Sequence, residues 1–308
     1  MKKRYENLNG IANDNGLKEI WGWMKERRGK IKDLSSSIPL AHDRDAAKLK
    51  NLGFGKRTAI TWIGHSTFLI QTGSLNIITD PVWAGRMGLQ KRLIEPGYAL
   101  TELPDIHVVL ISHGHYDHLD FSTLRLIKGM PMILVPVGLK RALTRKGYRN
   151  VHELNWGEHI ELDSLSFSFV PAQHWTRRTL WDTNTSHWGG WVIDNGSGEA
   201  IYFAGDTGYF EGFKHIGESF NIKTALMPIG AYEPEWFMRV SHMNPEDSIR
   251  AFLEVGATTF IPMHYGTFRL ADDTGPEALQ RLLVRWNELS LEPNRLAVLA
   301  VGETLFGS

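Results

Sequence analysis

The sequence predicts an α+β protein in which mixed sheets carry helices on their outer sides. Three observations lead there. Short apolar runs recur from residue 58 onward, helix-like segments are interspersed among them, and the implied strands stop repeatedly at glycine, histidine or aspartate.

Residues 1–55 are polar and irregular, and read as an N-terminal arm or helical extension: a lid, an arm or a dimer contact. Within them Gly16–Lys30 reads as a short amphipathic helix with Ile20, Trp21 and Met24 on one face. Ser35-Ser36-Ser37 before Pro39 reads as a linker. Residues 56–308 form the main domain. Thr58–Ile63 is a short apolar strand ending at Gly64-His65-Ser66. Thr67–Gln71 and Leu75–Thr79 form a hairpin around Gly73-Ser74, and the second of these ends at Asp80-Pro81. His107–Ser112 is a nearly continuous apolar run, which implies burial on both faces. Phe121–Lys128 reads as a helix, Met132–Val137 as a strand and Leu139–Arg145 as a helix closed near Gly147. Leu165–Val170 alternates and ends near His174. Ala200–Ala204 stops at Gly205-Asp206-Thr207-Gly208, and Thr224–Pro228 leads into Gly230. Asn244-Pro245-Glu246-Asp247 starts a helix: a cap residue, proline at the first helical position, and acids in the first turn. Gly256 stops it. Thr258–Pro262 leads to His264, Pro276–Glu288 is a last helix, and Leu296–Val301 is expected as the final strand.

Composition narrows the function. The chain has 308 residues, 42% hydrophobic and 22% charged, with a formal net charge of zero. No global basic balance draws it to nucleic acid, and no nucleic-acid partner is expected. There is no cysteine, so any metal must be held by nitrogen and oxygen. The basic start MKKRYENLNG lacks the apolar stretch of a signal peptide, and no run reaches the roughly 20 apolar residues of a transmembrane helix. A cytoplasmic protein is expected, with peripheral membrane contact as an option. Of the eleven tryptophans, Trp83, Trp175, Trp181, Trp188, Trp191 and Trp236 lie in the regions carrying polar motifs. About half should be core, and the rest would wall a site for a substrate with an apolar part.

The chemistry concentrates at His113–His118, HGHYDH. Three imidazoles and a carboxylate in six residues exceed what a turn needs, and neutral imidazole with carboxylate suits Zn, Mn or Fe. The spacing places His113, His115 and Asp117 in a tight loop after a strand, with Gly114 easing the bend. It is not the helical HExxH pattern. His174, Asp206 and His264 each follow an apolar strand, where strand ends can gather at one rim. Together these are more donors than one metal uses.

HGHYDH resembles the HxHxDH signature of the metallo-β-lactamase superfamily. The flanking stretches TWIGHSTFLI, TDPVW, LISHGHYDHLD, PAQHWTRRTLWD, FAGDTGY, PIGAYEPEWFM and MHYGTF resemble its N-acyl-phosphatidylethanolamine-hydrolysing phospholipase D branch, over about residues 58 to 303. The resemblance implies a four-layer αββα sandwich and a catalytic domain over residues 56–308. It implies two Zn2+ per chain, with Mn2+ or Fe2+ as alternatives. His113, His115 and His174 would hold one metal; Asp117, His118 and His264 the other; Asp206 would bridge them. The reaction it implies is hydrolysis of a phosphodiester, in an N-acylated phosphatidylethanolamine or a related compound, by a hydroxide between the metals. A homodimer would fit the family.

Further roles follow from position. His242, before the capped helix, resembles a family histidine near the metals and could contact a phosphate oxygen or assist the leaving group. Gln173, Tyr116 and Tyr232 are candidates for substrate contact. His65 is expected to orient the site, and Asp80 to buttress the HGHYDH loop. A lactonase and an iron oxidoreductase of the same fold are the competing readings.

Overall fold

The computed structural model describes residues 3–12, 17–29, 32, 37–52, 58–196 and 198–307. Two large sheets dominate. One orders seven strands as Thr304–Phe306, Ala59–Gly64, Thr67–Thr72, Leu75–Thr79, Val108–Leu110, Met132–Pro136 and Val151–Leu154. The other orders six as Thr259–Met263, Ile222–Pro228, Ala200–Phe203, Gly190–Asp194, Leu165–Val170 and His159–Leu162.

The apolar runs explain why the sheets stack. Successive side chains of a strand face opposite ways. Trp62, Phe68, Ile70, Val108 and Leu110 turn inward and share one buried cluster with Phe167, Phe169, Trp191 and Phe203 of the other sheet. Their neighbours Leu69, Ile78, Val109 and Ile111 turn outward, onto Leu124 and Leu143 of helices Phe121–Leu126 and Lys140–Arg145. The run expected at His107–Ser112 is thus buried on both faces from Val108 to Ser112, while His107 itself is exposed. Outside the second sheet, Phe252 of helix Pro245–Glu254 and Trp286 of helix Gly275–Glu288 pack on Phe260, with centroids at 5.2 and 5.7 Å. The layers are helix, sheet, sheet, helix: an αββα sandwich.

The foreseen helix starts hold. Asn244 caps its helix through Asp247 N–H at 2.8 Å, and Thr274 forms a capping box with Glu277. Other expectations fail for definite reasons. Leu296–Val301 is not a strand. Ala297 N–H donates to Phe260, whereas Val301 N–H donates to Pro39, so its hydrogen bonds go to different neighbours and no ladder forms. The last strand is Thr304–Phe306, antiparallel to Ala59–Thr61. Strands Val151–Leu154, His159–Leu162 and Gly190–Asp194 and helix Gly212–Ser219 were not foreseen. The N-terminal helix spans Leu17–Gly29, but its face is reversed: Trp21 is 74% and Met24 50% exposed. Trp23 turns inward instead, stacking on Phe237 at 5.1 Å and donating to Asp272 Oδ2 at 3.1 Å. Gly16, Lys30, Ser35, Ser36 and the side chain of Ile20 lie outside the described residues. No helix among the described residues is long and apolar enough to cross a membrane.

Candidate metal centre

Parallel pairing sets where the polar residues meet. Leu75–Thr79 pairs with Val108–Leu110, so Asp80 and the HGHYDH loop leave the first sheet together, and Asp80 N–H donates to Leu110 at 2.8 Å. In the second sheet Ala200–Phe203, Ile222–Pro228 and Thr259–Met263 run parallel and deliver Asp206 and His264 to the same rim. Four residues there depart from ordinary backbone: His65, Asp80, Ala231 and His264 have φ of 55°, 32°, 62° and 59°. Non-glycine residues are uncommon in this region and cluster at functional sites. His264 N–H donates to His65 O at 3.2 Å, so the two bent strand ends brace each other.

All seven residues expected as metal ligands converge. His113, His115 and His174 form one donor group. His115 Nδ1 lies 2.9 Å from His113 Nε2 and 3.2 Å from His174 Nε2. Asp117, His118 and His264 form another, which His65 joins. Asp206 faces both. Its Oδ2 is 3.1 Å from Nε2 of His118 and of His264, and 4.0 Å from His174 Nε2. His242 Nδ1 lies 3.9 Å from the same oxygen, and its side chain is 16% exposed, so it sits toward solvent.

The ring orientations are held from behind. His118 Nδ1 lies 2.6 Å from Asp80 Oδ2, and Asp80 also accepts from the N–H and Oγ–H of Ser112 at 2.7 and 2.5 Å. His174 Nδ1 lies 2.9 Å from the Ser241 carbonyl; since a carbonyl can only accept, Nδ1 carries the proton and the Nε2 lone pair points inward. His65 Nε2 lies 3.1 Å from Asp117 Oδ2.

Electrostatics sort the imidazoles. Burial, reinforced by neighbouring histidines, holds His113 well below its ordinary value. Burial likewise outweighs the nearby carboxylates at His174, which is also held well below, and at His115 and His242, each lowered to about 4. Burial also opposes charge on His118 and His264, but Asp206 and Asp117 outweigh it: His118 stands well above its ordinary value and His264 is raised to about 9. Asp117 and Asp206 are held well below theirs, against burial, chiefly by His118.

These residues fit divalent cations. His118 Nε2, His264 Nε2 and Asp206 Oδ1 are buried and make no hydrogen bond with any described residue. Buried polar atoms are rarely left so. Nε2 of His118 and His264 each lie 3.1 Å from Asp206 Oδ2, yet neither makes a hydrogen bond to it. Neutral imidazoles and ionised carboxylates are the forms that bind metal.

The structure separates the expected substrate residues. Gln173 does not reach an open site: it is buried, and its Nε2 donates to the carbonyls of Tyr209 and Val240 at 3.2 and 3.0 Å. It ties the Asp206 loop to the segment before His242. Tyr232 does not line a mouth either; it is buried with Arg281 5.0 Å over its ring. Tyr116 is exposed, its hydroxyl donating to Arg178 O at 2.8 Å. Of the tryptophans, Trp188 and Trp191 are core, Trp175 stands edge-on to His115 at 4.7 Å, and Trp181 is 83% exposed.

Sequence reasoning missed three supports. Arg178 Nη1 donates to the carbonyls of Gly114, Leu119 and His115 at 2.8, 2.9 and 3.3 Å, fastening the HGHYDH loop. The Ser241 carbonyl and the Asn7 side chain, both on His174, were also missed. Only Arg178 left a signal, as a cation in a stretch already singled out. Gly114 is needed for closeness more than for bending: a Cβ there would stand 2.8 Å from Thr176 Oγ1.

The fold and the donor set define the class. Residues 75–265 match the family described as "Beta-lactamase superfamily domain", and the chain belongs to the metallo-β-lactamase superfamily, as a metal-dependent hydrolase. Among its relatives is the N-acyl-phosphatidylethanolamine-hydrolyzing phospholipase D 1 of Caenorhabditis elegans, 39% identical over 227 residues, which cover 68% of this chain and 64% of that one. A UPF0173 metal-dependent hydrolase of Methanopyrus kandleri is 32% identical over 249 residues, covering 80% of this chain and 98% of that one. The structure of Igni18, a metallo hydrolase from Ignicoccus hospitalis, superposes with a TM-score of 0.63 at 24% identity, covering 82% of this chain and 99% of that one. This chain therefore spans just under two thirds of the worm enzyme's length.

Proposed function

We propose that this hydrolase cleaves a phosphodiester whose substrate is anionic at phosphorus and apolar elsewhere, of the N-acyl-phosphatidylethanolamine type, using two zinc ions. Mn2+ and Fe2+ suit the same donors. The observation that carries the reading is Asp206, a buried carboxylate facing two donor groups at once, 3.1 Å from His118 and His264 and 4.0 Å from His174.

His113, His115 and His174 would hold one cation and Asp117, His118 and His264 the other, with Asp206 shared. Such a pair supplies Lewis acidity and a water of lowered pKa. The charges on Asp117 and Asp206 offset only part of two divalent cations, so the pocket attracts an anionic group. Asp80, Ser241 and Ser112 hold the rings in place. His242, neutral and toward solvent, can donate its N–H to a phosphoryl oxygen or accept a proton during the reaction. Trp175, with Arg177 5.6 Å over its ring, and exposed Leu180 and Trp181 offer apolar surface to acyl chains near a cation. The worm relative's name points to the same substrate class.

The test is metal analysis of the purified protein beside hydrolysis assays on N-acyl-phosphatidylethanolamine, a bis-aryl phosphodiester and homoserine or sugar lactones. The expected result is cleavage of both phosphodiesters, with N-acylethanolamine and phosphatidate as lipid products. Lactone turnover without phosphodiester cleavage would contradict the proposal and favour a lactonase.

A further inference from the structure

The N-terminal arm reaches the metal centre from outside residues 75–265, the segment that matches the family. Asn7 is its key contact and is only 8% exposed. Its Oδ1 accepts from the backbone N–H of His174 at 3.0 Å and from Trp188 Nε1–H at 2.9 Å. Its Nδ2 donates to Ile11 O at 2.7 Å, and Gly10 N–H returns to Asn7 O at 2.9 Å, so a turn in the arm fixes the carboxamide. Two further contacts press the arm down. Tyr5 N–H donates to Asn184 O at 2.8 Å, and the Tyr5 ring stacks on His187 at 4.5 Å. Asn184 in turn pairs with Thr176, two residues past His174, through its N–H at 2.8 Å and its Oδ1 at 3.1 Å.

His174 needs this support because it lies beyond its sheet. Strand Leu165–Val170 has ended, and Gln173 meets Gly208 only in an isolated bridge. The N–H of His174 is buried and has no strand beside it. An unpaired buried N–H is costly, and the chain could relieve it only by moving the residue. The ring is fixed at Nδ1 by the Ser241 carbonyl. The backbone is fixed by Asn7. Together they set where Nε2 stands relative to His115 and Asp206.

We propose that Asn7 is a positioning residue for His174, so that the arm completes the His113, His115 and His174 group from outside the catalytic framework. This rests on the two-cation reading of the centre. The role asks for an acceptor of two hydrogen bonds at this position. Alanine removes it, the serine hydroxyl is too short to reach both donors, and aspartate keeps the acceptor while losing the Nδ2 donor to Ile11 O.

The experiment uses the full chain as wild type, N7A, N7D and N7S. Each protein is stripped of metal and titrated with zinc against a chromophoric chelator that resolves two binding steps. Cobalt-substituted samples are compared by visible absorption, and thermal unfolding is followed without metal. For N7A we expect one step weakened by roughly 10–100-fold, the usual cost of losing a partner behind a ligand, while the other step is unchanged and the cobalt spectrum alters. N7D should bind more tightly than N7A and less tightly than wild type, because it keeps the acceptor for His174 N–H but loses the donor to Ile11 O. Should N7A fail to fold, N7S is read in the same way. Two binding steps that match wild type in the alanine or serine variant, even with lowered melting temperature, would overturn the role and leave Asn7 as an anchor of the arm. A wild type that shows no pair of binding steps would instead remove the two-cation reading, and this role with it.

Discussion

Asp206→Asn keeps the shape of the side chain and deletes one negative charge at the meeting point of the two donor groups. Oδ2 lies 3.1 Å from Nε2 of His264. At an effective dielectric of about 20, a unit charge at that distance is attracted by about 5 kcal/mol. Burial takes back part. The net appears in His264, raised from 6.5 to about 9, which is about 3 kcal/mol at about 1.4 kcal/mol per pKa unit. A folded-state pKa above the unfolded value stabilises the protein fully below the unfolded value and loses that stabilisation as pH rises through the folded one. In metal-free wild type, the His264 contribution is therefore present below pH 6.5 and lost as pH rises through about 9. D206N should shrink this contribution without abolishing it, because Asp117 Oδ2 remains 3.6 Å from His264 Nε2. The assay is histidine-ring NMR of metal-free protein across this range, beside urea unfolding at both ends. We expect the His264 midpoint in D206N to fall by about one unit or more, and zinc affinity to fall at both binding steps. An unchanged midpoint with undiminished zinc binding would refute the reasoning.

Three further outcomes follow from the same geometry. His242→Ala should retain metal while kcat falls by roughly 10²–10⁴-fold, the range for a lost acid–base group; loss of metal would make it a ligand instead. Zinc uptake should release protons and tighten as pH rises from 6.5 toward 9, because the cations displace the protons on His118 and His264; titration calorimetry in buffers of different ionisation enthalpy reads this, and pH-independent uptake would contradict it. Gly114→Ala pushes a methyl to 2.8 Å from Thr176 Oγ1 and 3.3 Å from Leu139 Cδ2, so it should cost about 1–3 kcal/mol of stability and weaken zinc binding; urea unfolding with a zinc titration checks both.

Much of the centre was legible because its donors sit at strand ends. A run such as Val108–Leu110 announces itself by continuous apolarity, and the residues after it can only be rim residues. HGHYDH, Asp206 and His264 are of this kind, while His174 follows the alternating strand Leu165–Val170. The supports were hidden because they act across long sequence separations with ordinary residues. Asn7 stands 167 residues from His174, and nothing in a polar arm marks one asparagine. Gln173 looked like a substrate contact because of its neighbour, but backbone carbonyls claim its amide. The reversed N-terminal helix has a similar cause. Trp21 and Trp23 lie on different faces, periodicity offers either, and Phe237 and Asp272 decide for Trp23. Strands Val151–Leu154 and His159–Leu162 stand at sheet edges, where partly polar sequence suffices and the apolar signal fades.

The most direct test of the two-cation centre is a crystal structure of zinc-loaded protein with anomalous scattering measured at the zinc edge. The account predicts two peaks per chain, one among His113, His115 and His174 and one among Asp117, His118 and His264, with Asp206 touching both. A single peak at full zinc occupancy, or peaks away from Asp206, would contradict it.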